Sequence, residues 1–320
     1  MELIFKPYDK YFKELLEKTD HARSFFENYL SSSILQLLDL NTLRIEKESF
    51  IEEDLKEYFS DLLYSVKFGD KTGYVYLLLE HKSDLYKYVS LQMLHYKTKI
   101  WRRHVNNNKG SDLPIVISLL IYHGRQPWSY GNKFSDIVEK GKDDLKPYIP
   151  DFEYILCDLS TYQDHEIKGI LTLKVGLFAI KYIFDPNLWE HLPKIFALLK
   201  EVIDSDTGIK SLEALLRYIF SAREDILPEK LKELVENNLS KHKGGIVMTV
   251  AERLMQQGAL QDAKESVIEV LEAKFNSVNR SIAEKIEQIG NIAILKSLRK
   301  KAVNIESLAQ FEMLMNQALQ

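Results

Sequence analysis

The hydrophobic pattern divides the chain into a part with strands and helices and a part with helices alone. Up to about residue 168, short runs rich in aromatic and β-branched residues alternate with segments of helical periodicity. Beyond residue 169, apolar residues recur at helical spacing. This pattern predicts a mixed central sheet flanked by helices, an α/β class, followed by an all-helical C-terminal region. We expect strands at 42–47, 61–68, 73–82, 114–121 and 152–159, and helices at 8–18, 21–30, 49–58, 85–104, 171–184, 188–203, 211–221, 228–238 and within 247–319.

Three regions follow from these elements. Residues 1–168 form the sheet-containing domain, 169–243 a helical accessory region and 244–320 a helical tail that begins at the Gly244–Gly245 break.

Charged residues collect at the open end of a predicted β-hairpin, opposite its turn. A short polar turn, Gly69–Thr72, joins the strands, and antiparallel pairing brings Asp61 opposite Glu80 and Lys82. Glu80 and Lys82 share one face because strand side chains alternate. Two carboxylates supply the oxygen ligands that Mg²⁺ prefers, and a lysine beside them could hold a water or a phosphate. A salt bridge at a strand end is the alternative, although Val75–Leu79 is too apolar for an exposed edge.

The helix after the hairpin carries a second polar group. Gln92, Tyr96, Lys99 and Arg103 recur at steps of four, three and four and so share one helical face. Lys97, Lys99, Arg102, Arg103 and Lys109 bring five cations and no acid to residues 97–109. Such a patch can follow a phosphate backbone, whereas an ordinary solvated helix face is the alternative.

Composition narrows the class of protein. The formal net charge is −4, so nucleic-acid binding requires a local basic patch. No apolar run reaches the roughly 18 residues of a membrane span, and the N-terminus lacks a signal-peptide pattern. The one cysteine, Cys157, lies in a strand-like run and is expected to be an inert buried thiol. We therefore expect a cytoplasmic protein that binds no membrane.

His123 ends an apolar strand and is interpreted as structural rather than as a ligand or general base.

These residues resemble the Rpn family of recombination-promoting nucleases, also called YhgA-like transposases, within the PD-(D/E)XK superfamily. The similarity covers most of the chain. It rests on Tyr58–Val66, Leu77–Ser83, the Gln92-x-x-x-Tyr96 pair, Ile100–Trp101 and Tyr122–Gly124 with Pro127–Trp128. Tyr8-Asp9 with Phe12-Lys13 is similar to the family's HDxxFK start, with Tyr in place of His, and 248–254 with 271–275 resemble its helical C-terminal region.

The resemblance implies a PD-(D/E)XK core and Mg²⁺-dependent cleavage of DNA at low sequence specificity, with Mn²⁺ as a substitute ion. It implies that Asp61 and Glu80 are metal ligands with the His81 carbonyl, and that Lys82 is the catalytic lysine. Gln92 and Tyr96 match the family's QxxxY helix beside the site. Many relatives carry Gln at the lysine position, and Lys82 therefore favours an active enzyme. Glu53, Asp54 and Glu57 are the candidates for an assisting acid. Lys99, Arg102 and Arg103 are expected to bind DNA.

Two alternatives stay open. A decayed, transposase-derived protein could bind DNA without cutting it. A helical scaffold could instead dimerise through Leu260, Ala263, Val267, Val270 and Leu271, which recur at helical spacing, or these residues could pack within their own chain.

Overall fold

The chain folds into two compact units that are divided at Gly244. In this computed structural model the described residues are 7–46, 62–80, 86–139 and 143–318. The first unit, Met1–Gly244, contains the sheet, and the second, Gly245–Gln320, is helical. Residues 169–243 belong to the same unit as the sheet. The predicted helix at 49–58, with Glu53, Asp54 and Glu57, lies outside the described residues, as do Asp61, His81 and Lys82.

A mixed five-stranded sheet forms the centre of the first unit, as the pattern predicts. The strand order is β1-β2-β3-β4-β5. The pairs β1·β2 and β2·β3 are antiparallel, whereas β3·β4 and β4·β5 are parallel. The bounds are β1 Leu38–Ile45, β2 Leu62–Phe68, β3 Lys71–Glu80, β4 Val116–Tyr122 and β5 Ile155–Asp158.

Helices precede, interrupt and follow the sheet. The structure has α1 Pro7–Leu16, α2 Thr19–Tyr29, α3 Ser32–Leu35, α4 Val89–Asn107, α5 Leu171–Tyr182, α6 Leu188–Lys200, α7 Asp206–Ala222, α8 Pro228–Asn238, α9 Gly244–Phe275, α10 Arg280–Glu287, α11 Ile292–Ala302 and α12 Leu308–Ala318. None of the helices within the described ranges is both long enough and apolar enough to cross a bilayer.

Several element boundaries differ from the prediction, each for a local reason. The hairpin turn is shorter than expected: Phe68 pairs with Lys71, and only Gly69 and Asp70 remain between the strands. Gly69 has φ 58°, a left-handed conformation that suits glycine in two-residue turns. Strand β5 starts later than predicted because Glu153 instead forms an antiparallel bridge with Lys133. Helix α7 starts earlier because the Ser205 hydroxyl caps it, accepting from the Gly208 N–H at 3.1 Å.

One face of the sheet packs against α1 and α2. Tyr64 on β2 is fully buried, and its ring meets Phe26 of α2 edge-on at 5.3 Å. Its hydroxyl donates to the Leu16 carbonyl at the end of α1, at 2.7 Å. A buried tyrosine needs such an acceptor, because an unpaired hydroxyl in a core costs free energy.

The other face packs against α4. Val89, Met93, Tyr96 and Ile100 of this helix share a buried cluster with Tyr76, Val116, Leu120 and Tyr122 of β3 and β4. The spacing of the helical residues is the one expected for a single apolar stripe. The central strands are therefore covered on both faces, as their apolar sequences predict.

Helices α5 and α7 are tied to α1. A side chain at Gly176 of α5 would lie 2.4 Å from Leu15 of α1, so the two helices approach closely only because this position is glycine. Tyr11 of α1 stacks on Tyr218 of α7 at 4.2 Å, and Arg217 donates to both Glu14 carboxylate oxygens at 2.7 and 2.8 Å. These contacts explain why the helices of 169–243 join the sheet in one unit.

The second unit has a core of its own. It is built from buried residues of all four of its helices, among them Val267, Leu271, Ile286, Leu298 and Phe311. Ala263, Val267 and Leu271, which were candidates for dimerisation, belong to this core, and Leu260 and Val270 pack against it. These residues therefore pack within their own chain, the second of the two options that the sequence left open.

A buried histidine links α2 to α5 and predicts a pH dependence of stability. His21 is 3% exposed, and its Nε2 lies 2.8 Å from the Thr172 hydroxyl. Burial, with the nearby Lys18 charge, lowers the pKa of His21 to about 4, below the usual 6.5. The unfolded chain therefore binds a proton below pH 6.5 that the folded chain takes up only near pH 4. Because of this histidine, we expect the free energy of unfolding to fall by roughly 1–2 kcal/mol as the pH is lowered from 7 to 5.

Urea unfolding of the wild type and of His21→Gln at pH 7, 6 and 5 measures this contribution. The variant should be less stable at pH 7, yet lose roughly 1–2 kcal/mol less than the wild type on acidification. Stability curves that stay parallel from pH 7 to pH 5 would exclude the assignment.

Candidate active site

The carboxyl ends of β3 and β4 define the place where the predicted acids belong. Glu80 is the last residue of β3, and its backbone pairs with Tyr122, the last residue of the parallel strand β4. On the other side of β3, Leu62 of β2 pairs with Leu77. Leu62 directly follows Asp61 in the sequence, so the described part of β2 begins three residues before Glu80 in this register.

Gln92 and Tyr96 lie on α4, beneath the sheet. The Tyr96 ring is 5% exposed and stacks on Tyr76 at 4.7 Å. Trp101 donates its indole N–H to the Pro114 carbonyl at 2.9 Å, which holds the end of α4 near the start of β4. The start of α4 therefore lies toward the carboxyl ends of the strands, and Gln92 is one turn nearer to those ends than Tyr96. Gln92 is half-buried.

The cations of α4 have different surroundings. Arg102 is exposed, and Lys99 and Arg103 are half-buried. Partial burial raises the pKa of Tyr74 on β3, Glu46 raises it further, and the nearby Arg103 guanidinium lowers it. Arg103 thus shares its surroundings with a carboxylate, whereas Arg102 faces solvent.

Lys97 is not part of an exposed basic surface, which corrects the interpretation of residues 97–109 as one patch. Its side chain is buried, with Nζ 4.1 Å from the centre of the Phe152 ring. Burial lowers the pKa of Lys97 to about 8. The aromatic face stabilises the ammonium inside the α4 cluster. The exposed cations are accordingly fewer than the sequence suggested.

The segment after β4 folds back over the end of that strand. The Tyr122 hydroxyl donates to the Gln126 carbonyl at 2.8 Å, and its ring meets Trp128 at 5.1 Å. A side chain at Gly124 would collide with the Tyr122 hydroxyl, at 1.9 Å. These contacts explain the Tyr-His-Gly and Pro-Trp pattern as the support for a loop at this end of the sheet.

Asp158 anchors the same loop and was not singled out in the sequence. Its carboxylate accepts from the backbone N–H of Trp128 at 2.8 Å, and from the backbone N–H and hydroxyl of Ser160 at 3.0 and 2.6 Å. The signal was present: Asp158 ends the buried strand β5, and a buried carboxylate there requires donors.

His123 and Cys157 are buried, as expected of structural residues. The His123 ring is 2% exposed and stacks on Phe184 at 5.6 Å, with Tyr8 also nearby. Burial raises the pKa of the Cys157 thiol to about 12, so the reactive thiolate is scarce at neutral pH.

The described residues frame the predicted metal site without including its full set of ligands. Among them, no group of three His, Cys, Asp or Glu side chains comes together as metal ligands. The predicted ligands Asp61 and His81 lie outside the described ranges, and of Glu80 only the backbone is described. What the structure supplies is the frame: two strand ends, the start of α4 and the loop supported by Asp158.

Sequence comparison with known proteins finds relatives over most of the chain. The chain is 32% identical over 256 residues to "Inactive recombination-promoting nuclease-like protein RpnE" of Escherichia coli K12, covering 79% of this chain and 82% of that protein. It is 32% identical over 253 residues to "Recombination-promoting nuclease RpnA" of the same strain, covering 79% and 84%. It is 31% identical over 256 residues to "Recombination-promoting nuclease RpnD" of E. coli O157:H7, covering 78% and 94%.

No solved structure matches the chain. The family model described as "Putative transposase, YhgA-like" matches residues 6–210, which include the whole sheet and helices α1 to α6. The chain belongs to this YhgA-like transposase family, together with the recombination-promoting nucleases of E. coli that it resembles over most of its length.

Proposed function

We propose that the protein is a Mg²⁺-dependent DNA endonuclease of low sequence specificity, with a sheet of the PD-(D/E)XK type and a role in DNA recombination or mobile-element upkeep. The observation that carries this proposal is the position of Glu80. It ends the strand that pairs with both β2 and β4, in a family whose relatives are named nucleases. A carboxylate at the end of a covered central strand has no packing role that would account for it.

The proposed donor set fits a hard divalent cation. Asp61 and Glu80 provide carboxylate oxygens and His81 a backbone carbonyl, and Mg²⁺ prefers oxygen ligands while Mn²⁺ accepts the same set. A bound ion of this kind acidifies water and offsets the charge that develops on a phosphate. In the sequence Asp61 directly precedes β2, and His81 directly follows Glu80 at the end of β3, which is why we assign the three residues to one site.

The remaining site residues act on water and on the DNA strand. Lys82 orients the attacking water through its ammonium and stabilises negative charge on the phosphate oxygens. Gln92 and Tyr96 border the site from α4, with Tyr96 held by its stack on Tyr76. Tyr76 precedes Glu80 by four residues, about 13 Å along the strand, so Tyr96 acts as a support rather than by contact with the reacting phosphate.

Lys99, Arg102 and Arg103 bind the backbone of the same strand. From Gln92 to Arg103 the helix rises about 16 Å, away from the carboxyl ends of the strands. This length matches about five phosphates of one DNA strand. Contacts to phosphates carry no base information, which accounts for low sequence specificity.

A DNA-binding protein without nuclease activity is the second candidate, because one relative at 32% identity is named inactive. In that case Lys99, Arg102 and Arg103 keep their role, and Asp61, Glu80 and Lys82 lose theirs. Cleavage in Mg²⁺ that a chelator abolishes separates the two functions.

Neutralising one predicted ligand should abolish cleavage without loss of the fold. We expect Asp61→Asn to lower the rate of plasmid nicking in Mg²⁺ by at least about 100-fold, and Lys82→Gln to lower it by about 100- to 1,000-fold. Gel analysis of supercoiled plasmid over time measures both rates. Asp70→Asn is the matched control, because Asp70 is exposed in the turn at the other end of the same hairpin. This variant should nick plasmid at the wild-type rate. Equal rates for Asp61→Asn and Asp70→Asn would refute the proposed site.

Lys99 and Arg102, which are accessible, and Lys97, which is buried, should differ in their effect on DNA binding. Lys99→Gln with Arg102→Gln should weaken binding to duplex DNA and reduce the slope of log affinity against log salt by about 1.8, because each contacted phosphate contributes about 0.9. Lys97→Met changes the charge of the same helix at a buried position and should leave affinity within about twofold. Fluorescence anisotropy in EDTA from 50 to 200 mM salt measures both. A larger effect of Lys97→Met than of the double variant would contradict the assignment of the DNA-binding face.

A further inference from the structure

The outer face of α11 in the second unit carries a dense group of cations. Four of the six residues from Lys296 to Lys301 are Lys or Arg, and residues 288–305 contain no acid. Leu295, Leu298 and Ala302 of the same helix are buried in the core of the unit. At 100° per residue, Lys296, Lys300 and Lys301 lie about 90° or more from the middle of this buried stripe, and Arg299 lies at its edge. All four side chains are exposed. We call Lys296, Arg299, Lys300 and Lys301 the α11 basic face.

Three other cations of the unit are neutralised by ion pairs, and those of the α11 basic face are not. Lys264 pairs with Glu287 at 3.1 Å, Lys285 pairs with Glu312, and Arg280 pairs with Glu284 at 2.8 Å. Within the described residues 245–318, no acid lies within ion-pair distance of Lys296, Arg299, Lys300 or Lys301. The field of these four charges therefore reaches solvent undiminished by a partner.

Stabilisation of the helix end does not account for the α11 basic face. Cations in a last turn commonly offset the partial negative charge of the helix C-terminus. Here Lys274 of α9 already serves that end, since its ammonium donates to the Val303 carbonyl that follows α11. Three further cations in the same turn exceed what the helix end requires.

A groove beside the α11 basic face adds hydrogen-bond donors. It is an open groove of about 510 Å³. Lys300 and Lys301 line it together with Ser297, Asn304 and Gln310. Ammonium, hydroxyl and amide groups are the side chains that proteins use to hold phosphate oxygens.

We propose that the α11 basic face and its groove form a second DNA-binding site that holds the phosphodiester backbone. The choice of DNA among polyanions rests on the proposed nuclease function, because the same chain would then act on that polymer. Contacts are to phosphates, so binding is independent of sequence and falls steeply with salt. The site anchors the substrate through the second unit.

Removal of three lysines from the α11 basic face tests this site in the full-length protein. The triple variant Lys296→Gln/Lys300→Gln/Lys301→Gln should bind a 30-bp duplex at 100 mM salt with an affinity at least about tenfold lower than that of the wild type. The slope of log affinity against log salt should fall by about 2.7. Lys200→Gln/Lys210→Gln/Lys230→Gln is the matched control, because these three lysines are exposed on α6, α7 and α8 and the change in charge is the same. The control should stay within about twofold of the wild type with an unchanged slope.

Binding is measured by fluorescence anisotropy in EDTA, so the result does not depend on cleavage. A protein that binds through α11 but never nicks plasmid would refute the proposed nuclease while supporting this site. If the wild type nicks plasmid and both triple variants bind DNA as tightly as the wild type, the α11 site is refuted and the proposed nuclease is supported. Equal weakening by both triples would mean that only net charge matters, and it would overturn the site. The site would also be overturned if the α11 triple variant lost binding to phosphatidylglycerol vesicles and kept its binding to DNA, since the face would then serve a membrane surface.

A footprint on the unsubstituted protein keeps the test valid if the triple variant folds poorly. With duplex DNA present, Lys296, Lys300 and Lys301 should react several-fold more slowly with an acetylating reagent, whereas Lys200, Lys210 and Lys230 should react at their free rates. Mass spectrometry of the digested chain gives both sets of rates. Acetylation of the three α11 lysines at the same rate with and without DNA would overturn the proposal.

Discussion

Strand β3 holds the first unit together because both its edges and both its faces are occupied. It pairs antiparallel with β2 and parallel with β4, over seven residue pairs in each case. Val75 and Leu77 are buried on the side of Tyr64, and Tyr76 is buried on the side of α4. A shift of one residue would exchange these faces, so packing fixes the register. The position of Glu80 at the end of β3 follows directly from that register.

The parallel pairing also determines where α4 lies. Two parallel neighbours need a crossover connection, and α4 is the element that provides it between β3 and β4. It must bury an apolar stripe under the sheet while carrying several cations. Lys97 shows the cost of combining both tasks, since its ammonium is buried and the ring of Phe152 only partly compensates. The accessible cations are Lys99, which is half-buried beside the stripe, and Arg102, which is exposed on the outer side of the helix.

Much of the fold, and a smaller part of the site, could be predicted from the sequence. Apolar runs such as Val116–Tyr122 and the helical spacing after residue 169 identify their elements because burial imposes a period. Burial of Lys97 could not be predicted, because spacing does not reveal which side of a helix meets Phe152. The anchoring role of Asp158 depends on Trp128, 30 residues away, and on the path of the intervening loop. The late start of β5 at Ile155 follows from the bridge between Glu153 and Lys133, which local propensity does not register.

The proposed DNA binding requires that an acidic chain separate its charges locally. With a net charge of −4 the whole protein is weakly repelled by DNA at long range, so affinity depends on cations concentrated at short range. The positions of acidic residues in the second unit meet this requirement. Glu284, Glu287 and Glu312 pair with cations outside α11, and no acid occurs at 288–305. If the α4 and α11 cations both contact DNA, as proposed, engagement of one patch raises the effective concentration of the other. A nuclease of low specificity needs this kind of binding, since it gains no affinity from reading bases.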